Sequence, residues 1–307
     1  MDINNYTPTG DVLSGKSVIS AKFLSPEDVY EILHAARLLK MKQQVGERQV
    51  SLLGKHIMLV AKTTFSESRI AAELAVKQLG GTPVVLPLSG TQTEAMIEDV
   101  DFLPAVNRYG IDGMMVNTDD VRDAFKFAEH APFPVINAHG KYGPCVALAA
   151  LMTAWEKFGR LKDVSLAIVG NVSDNGFILS AAAKCGMKIT VVCPDEFAPD
   201  EAIESLAIYA KITACDDLVQ GVKGANAVFV TAGDELSDSD DYKITADVME
   251  LAAPNAIFLH PMPVDRKNEA ESAVCDGPQS AMLDMAGNLL HVEKAILALT
   301  VGKNIQR

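Results

Sequence analysis

Positive charge is in short supply in this chain of 307 residues, where 27 lysines and arginines stand against 40 aspartates and glutamates, a formal charge of −13. With a pI near 4.9, the chain repels polyanions, and nucleic acid is not an expected partner. No apolar run reaches the ~18 residues that cross a bilayer. The opening MDINNYTPTGDVLSGK has neither the basic start nor the apolar centre of a secretory signal. The expectation is a cytoplasmic protein with no membrane partner. Cysteine is sparse: the five present are Cys145, Cys185, Cys193, Cys215 and Cys275, an odd number without a C-x-x-C pair. That excludes a disulfide framework and a thiolate zinc site, and the cysteines read as small buried apolar side chains.

Several catalytic signatures are also missing. The chain has no H-E-x-x-H, G-x-S-x-G or EF-hand loop, and its six histidines show no metal spacing. The turn Gly170-Asn171-Val172-Ser173-Asp174-Asn175-Gly176 is not G-x-G-x-x-G, so it reads as a strand-to-helix turn rather than a nicotinamide site. No metal and no organic cofactor is expected.

What is present is a folding composition, 49% apolar and 22% charged, long enough for two domains at roughly 150 residues each. Short β-branched runs alternate with helical patterns, which predicts α/β architecture with parallel sheets covered on both faces. Ser25-Pro26-Glu27-Asp28 marks a helix start by its cap, its proline and its acids. Strands are expected at 56–60, 82–86, 114–116, 134–136, 165–169, 188–192, 227–231 and 256–260. Helices are expected at 69–79, 120–130, 143–158, 177–185, 201–209 and 290–301. The last helix has no strand after it, so it should pack back on earlier structure. The acidic stretch from Gly233 to Asp241 reads as a solvated loop.

Ligands of open parallel sheets gather beyond the carboxyl ends of strands, which directs attention to the polar turns there. The turn Lys62 to Arg69 opens a helix with hydroxyl residues and backbone N–H groups that suit an anion, but Glu67 in its middle competes with one. A serine cap followed by an acid in the first helical turn explains the same residues without a ligand. Asn117-Thr118, the loop Asn137 to Gly143, and His260-Pro261-Met262-Pro263 are the other candidates. In the last of these, two prolines one residue apart stiffen a turn that can present backbone carbonyls, with Arg266 following; a stiff turn with a surface arginine reads equally well.

These residues resemble the aspartate and ornithine carbamoyltransferase family over nearly the whole chain. The most specific stretch is IFLHPMPVDRKNEAESAVCDGPQSAMLDMAGNLLHVEKAILAL, set against the family's H-C-L-P or H-P-L-P, D-G-P-x-S and L-H-x-x-K-A-x-L. The start FLSPEDVYEILHAARLLK, Leu79-Gly80-Gly81 and the KFG end of the crossover helix also fit. The resemblance implies two doubly wound parallel-sheet domains, 1–143 with 288–307 and 144–287, the last helix returning to the first. It also implies an active site between them, completed by a neighbouring subunit of a homotrimer.

The departures fall where the family binds phosphate. Glu67 stands in place of the first arginine of S-T-R-T-R, although Ser66, Ser68, Arg69 and Glu73 keep the pattern. Asn117-Thr118 replaces an arginine, Gly143-Pro144-Cys145-Val146 replaces H-P-x-Q, and Ser89 to Ala95, in place of the lysine-bearing loop, has no lysine. The family's S-M-G and R-x-Q signatures are absent from Thr231 to Asp234. His139, Lys141 and Arg266 are the cations left to compensate. The reading is a divergent group transferase with an altered donor site and an amino-acid-like or other small-molecule substrate. The substrate is expected to be bound by Ser66, Glu67, Ser68, Asn117, Thr118, Lys141, Asn175, His260, Met262 and Arg266. A non-catalytic homologue acting as a binding or regulatory partner is the alternative, and ordinary ornithine or aspartate carbamoylation a third reading.

Overall fold

The structure, a computed structural model, describes residues 2–62, 67–88, 90–118, 120, 122–138, 143–172, 177–231 and 240–302. Its first helix, α1 (Pro26–Gln44), starts where its sequence requires. Ser25 accepts from the Asp28 N–H at 3.1 Å, and the Asp28 carboxylate accepts from the Ser25 N–H at 2.8 Å. This reciprocal cap satisfies two donors that a helix start otherwise leaves open and contributes about 1 kcal/mol.

The chain then runs β1 (His56–Lys62), α2 (Glu67–Gln78), β2 (Thr82–Leu88), α3 (Gly90–Glu98), α4 (Phe102–Arg108), β3 (Ile111–Asn117), α5 (Asp123–His130), β4 (Val135–Asn137) and α6 (Pro144–Phe158). It continues with β5 (Ser165–Val169), α7 (Phe177–Lys184), β6 (Lys188–Val192), α8 (Asp200–Leu206), β7 (Ile212–Cys215), α9 (Leu218–Val222) and β8 (Ala227–Val230). The last elements are α10 (Ala246–Glu250), β9 (Ile257–Leu259), α11 (Ser272–Cys275) and α12 (Met282–Thr300).

Two compact units result. One comprises Thr7–Leu148 and Leu289–Arg307, the other Met1–Tyr6 and Ala149–Asn288. We refer to them as the N-terminal and C-terminal units. The chain passes between them after Tyr6, within α6 and again within α12.

The N-terminal unit holds the parallel sheet β2-β1-β3-β4. Met58, Val60, Met114, Val116 and Val135 pack there against Leu103, Phe127 and Phe133. The C-terminal unit holds the parallel sheet β7-β6-β5-β8-β9, whose Val169, Val192, Val228 and Phe258 pack with Met249 and Val274. Near-continuous apolar strands such as β5 and β8 are what a sheet covered on both faces requires. Gly221 in α9 allows the helix to approach β6, since a Cβ there would stand 2.3 Å from a Val192 methyl.

Several boundaries differ from the sequence expectation. Helix α2 begins at Glu67 rather than Arg69, so Glu67 is the first residue of a helix and not the centre of a loop. Helix α5 begins at Asp123, α8 stops at Leu206, and α12 begins at Met282, well before Leu290. Helices α3 and α4 and strand β7 were not anticipated; β7 is short and half-exposed at the sheet edge, which leaves it no apolar pattern to read. The stretch Gly90 to Ala95, expected as a loop, lies in α3. Of the acidic stretch, 233–239 lies outside the described residues, and Asp240–Tyr242 form a 3-10 turn. Four cysteines are buried as expected, but Cys215 is only half-buried.

The end of α12 is withdrawn from solvent on every side from His291 to Thr300. It packs in the N-terminal unit, where the Thr300 carbonyl accepts from the Gly15 N–H at 2.9 Å. A Cβ on Gly113 of β3 would stand 2.8 Å from a Val301 methyl. Among the described residues no helix is long and apolar enough to cross a membrane.

Candidate functional site

In the N-terminal unit the strand order reverses between β1 and β3, the position where open α/β sheets gather ligands. Ser68 lies in the first turn of α2, just after β1, and Asn117 is the last residue of β3. Separated by 49 residues in the chain, they meet here, the Asn117 Nδ2 donating to the Ser68 Oγ at 2.9 Å. Ser68 and the next residue, Thr118, are both buried. Thr118 Oγ1 donates to the Asp120 carbonyl at 3.1 Å. The nearby Arg122 is committed to Asp120, its Nε lying 2.9 and 3.0 Å from the two carboxylate oxygens. The Arg122 hydrogen bond holds the Asp120 carboxyl below its usual range despite partial burial.

At the end of β4, buried Asn137 donates to the Ile19 carbonyl at 3.1 Å, and its own carbonyl faces the Cys145 Sγ at 3.5 Å. Burial, and secondarily the charge of Glu293, push the Cys145 thiol well above its ordinary value, so it is no thiolate nucleophile.

In the C-terminal unit the strand order reverses between β5 and β8. Gly170, just past β5, has a φ of 117°, a conformation open to glycine. Buried Thr231, just past β8, donates to the Val169 carbonyl through its N–H at 2.9 Å and its hydroxyl at 3.3 Å.

The turn after β9 is the most tightly specified part. His260 is buried, its Nδ1 accepting from the Met262 N–H at 3.0 Å and its Nε2 lying 3.1 Å from the Glu269 Oε2. The same oxygen accepts from the Asp265 N–H at 2.6 Å. The Asp265 carboxylate caps the turn through the backbone N–H groups of Lys267 and Asn268. Met262 is one of two non-glycine residues with positive φ among the described residues, at 47°. The carbonyl oxygens of Pro261, Met262 and Pro263 accept no hydrogen bond from the described residues.

The expected site residues therefore divide. Ser68, Asn117 and Thr118 come together in the N-terminal unit, and Glu67 opens α2 beside them. His260 and Met262 come together in the C-terminal unit. Ser66, Lys141 and Asn175 lie outside the described residues, as does His139. Arg266 is turned to Asp276 by a bidentate pair of 2.6 and 2.9 Å, and that hydrogen bond raises its already high pKa. The expected direct ligand contact of His260 gives way to an inward role, since both ring nitrogens are engaged within the turn. Sequence reasoning missed Glu269; its only signal is an acid nine residues beyond the histidine in an otherwise exposed turn. Among the described residues no group of three His, Cys, Asp or Glu side chains is placed to hold a metal.

Chemically, the Asn117–Ser68 pair offers neutral amide and hydroxyl groups next to Arg69, and the β9 turn has carbonyl oxygens that accept no hydrogen bond from the described residues. Two parallel α/β units, each with polar turns at its own switch point and a last helix returned to the first unit, define a two-domain doubly wound α/β protein. Family profiles identify which one. The profile described as "Aspartate/ornithine carbamoyltransferase, carbamoyl-P binding domain" matches residues 16–156, and that of the "Asp/Orn binding domain" matches residues 162–300. The chain belongs to the aspartate/ornithine carbamoyltransferase family.

Among its relatives, the ornithine carbamoyltransferase of Symbiobacterium thermophilum is 32% identical, across 94% of this chain and 98% of the relative. That of Bacillus subtilis is 31% identical across 95% and 96%. The solved ornithine carbamoyltransferase from Pyrococcus furiosus superposes with a TM-score of 0.85 at 27% identity, covering 94% of this chain and 98% of its own.

Proposed function

We propose that this chain is a divergent group transferase of the carbamoyl-transfer type, taking an amino-acid-like acceptor and a donor less anionic than carbamoyl phosphate. One observation carries the reading. At the β1–β3 switch point Asn117 and Ser68 form a neutral amide–hydroxyl pair, and Arg122, which follows β3, is paired with Asp120. Transfer from carbamoyl phosphate leans on fixed positive charge around the leaving phosphate, worth several kcal/mol per donor. The first position of α2, the helix end that would otherwise favour a phosphate, is a glutamate in the sequence, Glu67. Ser66, Ser68, Asn117, Thr118 and Lys141 then serve the donor, and Asn175 and Met262 the acceptor. The carbonyls of the β9 turn, which accept no hydrogen bond from the described residues, suit the N–H groups of an amino acceptor.

The homotrimer that the resemblance implies is part of this reading. Ile70 and Leu74, one turn apart on α2, and Val84 on the edge strand β2 expose an apolar face suited to a second copy. A cytoplasmic location accords with the sequence and is part of the same proposal.

The test is a thermal-shift and transfer assay with carbamoyl phosphate, inorganic phosphate and L-ornithine. The wild type is expected to show no stabilisation by carbamoyl phosphate at sub-millimolar concentration, and Glu67→Arg to gain phosphate binding. Stabilisation of the wild type together with conversion of ornithine to citrulline would instead establish the second reading, ordinary ornithine carbamoylation. The names of relatives 31–32% identical over nearly the whole chain favour that one. A wild type that transfers to no amino acid from any carbamoyl donor is a non-catalytic homologue.

A further inference from the structure

We infer that Glu269 is a positioning residue for the acceptor: through His260 it fixes the backbone of Met262. The inference rests on the proposed function only in taking the β9 turn as the acceptor's binding surface.

The geometry is a chain of three hydrogen bonds inside one turn. The Met262 N–H donates to the His260 Nδ1, so that nitrogen carries no proton. The proton must sit on Nε2, where the Glu269 carboxylate receives it. A buried carboxylate that holds an imidazole in one tautomer is a known way to keep the opposite ring nitrogen in a fixed role. Here the opposite nitrogen holds a backbone amide.

That amide needs holding. Met262 is a non-glycine residue at a φ of 47°, a strained conformation that persists only where its surroundings over-determine it. The next carbonyls, which have no partner among the described residues, are aimed by the same backbone.

Glu269 is itself anchored independently. Its N–H donates to the Asp265 carbonyl at 2.8 Å, and its carbonyl accepts from the Ile244 N–H at 3.0 Å. Its Oε2 also receives the Asp265 N–H, and the His260 ring stacks on Phe258 of β9 with centroids 6.3 Å apart. The carboxylate is thus tied to the body of the C-terminal unit, and the imidazole transmits its position to the one residue of the turn that is strained. A histidine serving only as core filler would leave the protonated nitrogen free to choose; this one is held at both.

The experiment reads the tautomer and the ligand separately. Protein labelled with 15N-histidine, with His260 assigned from the signal lost in His260→Gln, is expected to show His260 as the Nε2–H form at pH 7–8. Glu269→Ala should give a mixture of tautomers and faster exchange of the Met262 amide, whereas Glu269→Gln, which retains an acceptor oxygen, should keep the wild-type pattern. Glu269→Asp, one methylene shorter, replaces the alanine variant if that one does not fold, with the same mixture expected. Calorimetric titration with L-ornithine should show at least tenfold weaker binding for Glu269→Ala and recovery to within threefold in Glu269→Gln.

An Nδ1–H tautomer in the wild type, or an unchanged tautomer in Glu269→Ala, overturns the inference. So does a changed tautomer with unchanged ornithine affinity. A wild type that binds no ornithine defeats the reading of the acceptor surface and not the tautomer claim, which the spectra and the Met262 exchange then decide.

Discussion

Glu269 in the C-terminal unit and Glu293 in the N-terminal unit are both withdrawn from solvent, yet among the described residues only one has hydrogen-bond partners. Glu269 receives the His260 imidazole and the Asp265 N–H, while neither oxygen of Glu293 has a hydrogen-bond partner among the described residues. The difference follows from the backbone around each. Glu269 belongs to an irregular turn, where an amide such as that of Asp265 has no ladder to join and is free to donate. Glu293 lies within α12, whose amides are used by the helix itself, and its neighbours on the buried end are largely apolar. The carboxyl of Glu293 is accordingly pushed well above the ordinary range by burial. A buried acid gains hydrogen-bond partners where irregular backbone supplies free donors, and its pKa is raised by burial where a helix supplies none.

The largest effect expected from this contrast is on pH dependence. Folding raises the Glu293 pKa, so the folded state retains a proton that the unfolded state releases above the usual glutamate pKa. Stability should therefore fall as pH rises, by up to about 1.4 kcal/mol per pH unit. Glu293→Gln should remove that slope, leaving the variant more stable than the wild type near pH 7.5 and similar to it near pH 4. Chemical denaturation across this range measures it. Near the top of this window Lys294, whose pKa burial lowers to about 8, begins to release its proton in the folded state and opposes the slope slightly. A wild type of flat stability would mean that Glu293 has found a partner.

A smaller effect is expected at the neutral pair of the N-terminal unit. Asn117→Ala and Ser68→Ala should each cost about 1 kcal/mol, with a coupling of similar size in the double mutant. A vanishing coupling would remove the neutral pair from the account of the donor end. The smallest effect belongs to Arg266 and Asp276, a bidentate but solvent-exposed pair. Arg266→Ala should leave the melting temperature within experimental scatter at physiological salt. A clear loss would mean that the arginine does more than pair at the surface.

Much of the fold is legible in the residues alone. Ser25-Pro26-Glu27-Asp28 specifies a helix start because the capping partners are three residues apart and need nothing else. Strands β5 and β6 are read correctly at both ends because a strand buried on both faces is simply apolar. Strand β7 and helices α3 and α4 are not, since half-exposed short elements carry no such contrast.

The site is legible as a set of turns but not as contacts. His260-Pro261-Met262-Pro263 is visible as a rigid turn, yet nothing in the string tells that the histidine faces inward to Glu269 or that Arg266 is taken by Asp276. Ser68 and Asn117 are both flagged, but their hydrogen bond exists only because β1 and β3 are neighbours in the sheet.

The sequence by itself determines the alternation of strand and helix, the family and the deficit of positive charge, because each depends on residue type and short spacing. Only the tertiary structure decides which polar side chains are spent internally and which remain for a ligand. A hydrogen bond depends on direction as well as identity, and the donors that claim His260, Glu269, Asn117 and Arg266 are aimed by backbone that takes its course only when distant segments pack.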